Sequence, residues 1–208
     1  MEQPSWSLHY NTVSKQTLTP AATLAFALEQ FGKEQIAPGQ KRAIDLGFGN
    51  GIDSIALLAN GWQLTAIDKE HAAGEKLKQL VAPGDAINLN IIHQPFEEVE
   101  LEPAMLINAS FSLPFCSPAH FGRLWKKILD ALQPGSRFAG HFFGTEDSWA
   151  IRKDMTFHTQ AELQELFARF SIEQMEETKR EGKTIGGVIK HWHVFHVVAK
   201  YHEYDQHV

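Results

Sequence analysis

The segment Ala43-Ile44-Asp45-Leu46-Gly47-Phe48-Gly49-Asn50-Gly51-Ile52-Asp53 sets three alternate glycines between a short apolar run and a helix-forming stretch. Glycine accepts positive φ and carries no Cβ, so such a turn brings bare N–H groups and a helix N-terminus against a ligand. Downstream, the apolar run Leu64-Thr65-Ala66-Ile67 ends in Asp68. A carboxylate there stands where the first βαβ unit of a nucleotide-binding sheet accepts hydrogen bonds from two ribose hydroxyls. The spacing is G-x-G-x-G rather than the G-x-G-x-x-G that clears a pyrophosphate, which argues against a nicotinamide dinucleotide.

Around this turn, apolar runs alternate with amphipathic segments, the pattern of a mostly parallel sheet with crossover helices. A leading helix is predicted over 18–31, and strands at about 43–47, 63–67, 88–93 and 104–109. Ser117-Pro118 opens a helix running to Leu132, which Gln133-Pro134-Gly135 should stop before a fifth strand from Ser136 to Phe142. Thr159-Gln160-Ala161-Glu162 is a capping box before a helix ending near Phe170. Strands at about 171–178 and 187–199 flank the polar run Lys179-Arg180-Glu181-Gly182-Lys183 and read as a β-hairpin.

Bulk properties narrow the function classes. The chain has 208 residues and a net charge of −6 without a run of Lys or Arg, so it offers no electrostatic footprint for nucleic acid. No apolar run approaches the roughly 18 residues needed to span a bilayer. Cys116 is the only cysteine, and no secretory signal pattern opens the chain, which leads us to expect a cytoplasmic protein. Cys116 itself reads as a small buried hydrophobe.

Read as a whole, AIDLGFGNGIDSIALLANGWQLTAIDKE resembles the nucleotide-binding half of class I S-adenosylmethionine-dependent methyltransferases. The resemblance implies one α/β domain over 1–208 with a Rossmann-like, seven-stranded, mostly parallel sheet in the order 3-2-1-4-5-7-6, closed by the C-terminal antiparallel hairpin. Residues 1–35 would form an N-terminal lid and leading helix, 43–142 the cofactor-binding core, and 171–199 the hairpin. The cofactor would be S-adenosylmethionine, held by Asp45, Gly47, Phe48, Gly49, Asn50, Gly51, Asp53, Asp68, Lys69, Gln94, Phe96 and Asn108. The family commonly has an adenine-binding Asp after strand 3. This chain reads His93-Gln94-Pro95-Phe96, which leaves Gln94 or the backbone at Phe96 for that contact.

After strand 4 the chain reads Asn108-Ala109-Ser110-Phe111, without the N-P-P-Y motif of amino-nitrogen methylation. FFGTEDSW and IKHWHVFHVVAK are similar to the tellurite-resistance-type branch of small-molecule methyltransferases. The expected reaction is therefore transfer of a methyl group to a small soluble acceptor, a thiol or a chalcogen oxyanion. A catalytically inactive S-adenosylmethionine-binding regulatory module stays open as the alternative. Candidates for the acceptor pocket are Tyr10, Ser110, His141, Asp147, Trp149, His191 and His193, with Asp147 and Trp149 suited to a cationic or sulfur-containing acceptor. In a strand, His191 and His193 share one face and His196 the other, with no Cys or carboxylate at metal spacing, so no metal site is expected.

Overall fold

The structure, a computed structural model, describes residues 19–34, 36–184 and 186–202. Tyr10 and most of the expected N-terminal lid lie outside the described residues. The elements alternate as expected: α1 (Ala22–Glu34), β1 (Arg42–Leu46), α2 (Ile52–Ala59), β2 (Gln63–Ile67), α3 (His71–Leu80), β3 (Leu89–Ile92) and β4 (Ala104–Ala109). Then follow α4 (Pro118–Ala131), β5 (Leu132–Gly144), β6 (Phe157–His158), α5 (Gln160–Leu166), β7 (Phe170–Lys183) and β8 (Ile189–Tyr201).

Among the described residues these strands form one eight-stranded sheet in the order β3-β2-β1-β4-β5-β8-β7, with β6 pairing β5. The expected order is kept and one strand is added. β6 is only two residues long and joins β5 in parallel at Phe143↔Phe157, too short for any sequence period to reveal. Pairings among β1–β5 are parallel, while β5–β8 and β7–β8 are antiparallel. Strands covered on both faces read as continuous apolar runs, as in β1 and β4. α1, α2 and α3 cover one face through Leu24, Ala27, Phe31, Leu57, Leu58 and Leu77. α4 and α5 cover the other through Phe121, Leu124, Trp125, Ile128 and Leu163.

Several boundaries differ from expectation, among them α5, which ends at Leu166 rather than near Phe170, where β7 begins. α1 ends later, because Gly32 has open space around it and no reason to break the helix before Phe31 has entered the core. β5 begins at Leu132, directly after α4; Gln133-Pro134-Gly135 is absorbed as an irregularity between the pairs Ala104↔Leu132 and Leu106↔Arg137. The hairpin turn lies at Thr184–Val188, where Gly187 has φ 81° and its N–H donates to the Thr184 carbonyl at 2.8 Å. Lys179 to Lys183 belong to β7 and pair with β8 from His193 to Ile189. β7 is an edge strand, so its polar side chains need no turn to reach water.

Candidate functional site

The carboxyl ends of β1, β2, β4 and β5 meet at one edge of the sheet, and β1 feeds the glycine turn. Gly47, Gly49 and Gly51 all have positive φ, at 69°, 55° and 78°. A Cβ on Gly47 would stand 2.5 Å from Ser112 Cβ, and one on Gly51 would stand 2.8 Å from Leu77 Cδ1. Gly47 is therefore demanded both for conformation and for close approach, and Gly51 chiefly for its positive φ, since the end of the Leu77 side chain can shift. Phe48 points away from the turn into the α1–α3 core. Asn50 Oδ1 accepts from the Ile52 N–H at 3.1 Å, which satisfies the first N–H of α2 from the residue before its Gly51 N-cap.

Three buried carboxylates surround the turn. Asp45 accepts from Ser54 Oγ at 2.6 Å and from Asn108 Nδ2 at 2.9 Å. The same Asn108 nitrogen donates to Asp53 at 3.0 Å, and the other Asp53 oxygen accepts from the Ala21 N–H at 2.8 Å. Burial, joined by the neighbouring Asp53 charge, pushes the Asp45 carboxyl well above the usual carboxylate range. Asp68 bridges the end of β2 to the turn, accepting from Gly49 N–H at 2.9 Å and Glu70 N–H at 2.9 Å. None of the ion pairs found among the described residues involves these three carboxylates.

The expected adenine side is partly assembled. Phe96 brings Cε1 to 3.4 Å from the Cβ position of Gly47, whereas Lys69 and Gln94 are exposed. His93 stacks on His71 with centroids 4.6 Å apart and lies over Gly74 of α3. A shallow cavity of about 390 Å³, lined by Arg42, Gln63, Thr65 and Asn88 among others, opens at the amino ends of β1–β3, opposite the glycine turn.

The acceptor candidates divide in two. Asn108 Oδ1 accepts from Ser110 Oγ at 3.3 Å. Register places Asp45 beside Asn108, Asn108 beside Ala139, and His141 beside His196. Side chains alternate along a strand, so Asp45, Asn108, His141 and His196 share one sheet face, and Ser110 reaches it through its bond to Asn108. His141 is buried, and its Nδ1 accepts from the Phe111 N–H at 3.3 Å. Burial pushes the imidazole down to about 3, so it stays neutral and carries its proton on Nε2. It is a hydrogen-bond donor toward that side, not a base.

The second group is engaged elsewhere. Asp147 and Trp149, expected to hold a cationic acceptor, hold Lys190 instead. The Lys190 ammonium bonds Asp147 Oδ1 and lies 3.8 Å from the Trp149 ring centroid, 3.9 Å from that of Trp192 and 4.9 Å from that of Phe143. His193 does not line a pocket: Nδ1 accepts from the Glu146 N–H at 3.1 Å and Nε2 contacts Glu177 at 2.7 Å. His191 Nδ1 contacts Glu181 at 2.9 Å on the projecting hairpin.

Sequence reasoning missed Lys190 and undervalued Phe111. Lys190 and Trp192 are two apart in a strand and so share a face, a signal that was available. Phe111 is the one non-glycine residue with positive φ among the described residues, at 53°. A backbone so placed costs on the order of 1 kcal/mol or more, which no local sequence pattern announces. Cys116 is buried, and desolvation pushes its thiol up to about 12, as expected of an inert hydrophobe.

No known family profile matches the chain. A carboxy-S-adenosyl-L-methionine synthase of Shewanella piezotolerans (strain WP3 / JCM 13877) is 27% identical over 107 residues, 49% of this chain and 44% of that protein. The chain thus matches less than half the length of that curated relative. TehB from Haemophilus influenzae superposes with a TM-score of 0.69 at 16% identity, over 94% of this chain and 65% of that one. The N-methyltransferase NodS from Bradyrhizobium japonicum WM9, solved with S-adenosyl-l-homocysteine, gives 0.64 at 13% identity, over 96% and 97%. The 1,6-didemethyltoxoflavin-N1-methyltransferase of Burkholderia thailandensis, solved with 1,6-didemethyltoxoflavin and S-adenosylhomocysteine, gives 0.62 at 21%, over 88% and 79%. With β1–β5 parallel, a glycine turn after β1 and a closing antiparallel hairpin, the chain has the fold of the class I S-adenosylmethionine-dependent methyltransferases.

Proposed function

We propose that the chain is an S-adenosylmethionine-dependent methyltransferase acting on a small acceptor whose nucleophile is already anionic or soft at neutral pH, a thiol or a chalcogen oxyanion. The observation that carries this reading is the group of three buried carboxylates around a bare glycine turn, with no ion pair to a cation among the described residues. A ligand bearing an ammonium and a sulfonium complements that charge, and a burial penalty without a partner is otherwise hard to sustain. Each oxygen of Asp68 accepts one backbone N–H and retains a lone pair, so the carboxylate can receive two ribose hydroxyls. Gly47, Gly49 and Gly51 keep side chains out of the way, Asn50 fixes the start of α2, and Phe96 supplies an apolar wall. The Ser112 hydroxyl, buried against Gly47 with no partner among the described residues, is a further donor awaiting a ligand.

When bound, the cofactor supplies an activated methyl group, which leaves the chain to align reactants and exclude water. A hydroxyl or amine acceptor would call for a base. His141 is committed to the Phe111 N–H and His193 is bonded at both nitrogens, so neither is free to serve as that base, which supports an acceptor that needs none. Calorimetric titration with S-adenosylhomocysteine, with NADH as control, should show micromolar binding of the first alone. Absence of that binding overturns the cofactor assignment. A screen with labelled S-adenosylmethionine should then show turnover of thiols, selenite or tellurite, and robust turnover of amines alone would sink the acceptor class.

A further inference from the structure

We infer that the acceptor is a flat, conjugated molecule that stacks on the outer face of Phe111, an aromatic or heteroaromatic thiol rather than an aliphatic one. The inference rests on the methyltransferase reading and names the substrate class of that same site.

Phe111 lies two residues past the end of β4 and three beyond Asn108, and the residue is 43% exposed although its neighbours Ser112, Leu113 and Pro114 are buried. One face of the ring is covered. It lies on the His141 imidazole with centroids 3.9 Å apart and planes 11° apart. The exposure therefore belongs to the opposite face and the edges. His196 stands edge-on to both rings, 6.4 Å from Phe111 and 4.9 Å from His141, at 87° and 83°. The Phe143 ring lies tilted at 59°, with its centroid 6.4 Å from that of Phe111.

The ring is held in place from beneath. The Phe111 N–H is bonded to His141 Nδ1, so stacking and hydrogen bond fix the same residue in its positive-φ conformation. Glycine or asparagine would adopt that backbone with less strain, and a ring packed only for burial would turn inward. A strained backbone that presents a rigid aromatic face at the carboxyl end of the sheet is a binding surface. It stands on the face shared by Asp45, Asn108 and His141, adjacent to the glycine turn, where an acceptor must lie for transfer.

The protein also displays what its cation site looks like. Lys190 sits among three rings with a carboxylate on the ammonium. Phe111 instead offers one open face backed by a neutral imidazole, which suits offset stacking with a planar partner. A thiol on such a ring ionises readily and needs no base, consistent with the engagement of His141 and His193.

The test compares thiophenol with trifluoroethanethiol, an aliphatic thiol of similar acidity, in the full chain and in Phe111→Leu. Leucine keeps the bulk and the backbone requirement while removing the π-face. Binding of the methylated products, thioanisole and methyl trifluoroethyl sulfide, is measured by calorimetry on protein saturated with S-adenosylhomocysteine. The unsubstituted protein should prefer the aromatic sulfide by about tenfold, and Phe111→Leu should erase the preference with S-adenosylhomocysteine affinity unchanged. Equal binding of the two sulfides, or a preference that survives Phe111→Leu, overturns the platform. If thioanisole binds through Phe111 yet no thiol is turned over, the acceptor chemistry falls and the platform stands. If both thiols turn over with the same kcat/KM, the platform falls and the chemistry stands. If S-adenosylhomocysteine does not bind, the same sulfide comparison on the free protein still decides the platform.

Discussion

Two regions of this molecule bury carboxylates, and they do so in opposite ways. Around the glycine turn, among the described residues, Asp45, Asp53 and Asp68 accept from neutral donors: Ser54, Asn108 and backbone N–H groups. Around β5 and the terminal hairpin, each buried or half-buried carboxylate meets a cation of the chain. Asp147 holds Lys190, while Glu34 and Glu173 both clasp Arg137, which also lies over the Phe31 ring at 4.5 Å. In a low-dielectric interior a charge without a counter-ion is costly, whereas a paired one is a structural fastener. The contrast separates a site prepared for something outside the chain from one already completed inside it.

The most severe test removes one partner from a completed pair. Asp147→Ala strands the Lys190 ammonium among three rings and should cost about 3–5 kcal/mol of unfolding free energy in urea. Lys190→Met should cost less, because Asp147 retains the Trp149 N–H at 2.9 Å and the His193 N–H at 3.1 Å. Equal and small losses for both would mean that the hairpin does not depend on the cage. Neither substitution should change S-adenosylhomocysteine binding by more than its effect on folding.

The difference between the regions also explains what could be read beforehand. Glycine chemistry is local, so Gly47, Gly49, Gly51 and the position of Asp68 were legible from spacing alone. Continuous apolar runs likewise gave β1, β2 and β4 nearly to the residue, and Thr159 with Glu162 announced its capping box, with bonds of 2.7 Å and 3.2 Å. The Lys190 cage depends on β8 lying beside the loop after β5, a contact across 43 residues that no local window contains. The polar run Lys179 to Lys183 read as a turn because an exposed edge strand and a turn share composition, and only Gly186-Gly187 distinguished them. The chemical state of His141 was not legible for a related reason. A base and a buried acceptor of a backbone N–H look the same until its neighbour's backbone is known.

A smaller effect is expected when the glycine turn itself is filled. Gly47→Ala places a methyl 2.5 Å from Ser112 Cβ at a φ of 69°, and should lower stability by about 1–3 kcal/mol. It should also abolish measurable S-adenosylhomocysteine binding, since the turn and the loop after β4 must separate. Asp68→Ala leaves the core intact and should weaken that binding by about 1–3 kcal/mol through lost hydrogen bonds to a charged group. Unchanged affinity would relocate the ribose away from β2.

The gentlest way to sharpen the comparison is a slope rather than a loss. Burial holds the His158 imidazole down at about 4 and that of His141 at about 3. The unfolded chain takes up those protons below about 6.5 while the folded chain does not. Their contribution is therefore complete above that pH and is lost as pH falls toward the folded values, at about 1.4 kcal/mol per pH unit for each group. Asp45 runs the other way. Its raised carboxyl takes a proton in the folded state before the unfolded chain does, so acidification below neutral restores stability that the buried charge withholds. His158→Gln should flatten the acid loss between about pH 6.5 and 4 by one such slope, and Asp45→Asn should steepen it while raising stability at neutral pH. Urea midpoints across that range for the three proteins provide the measurement. Parallel curves would show that the carboxylate at the glycine turn carries no burial penalty, and the distinction between the two regions would then rest on geometry alone.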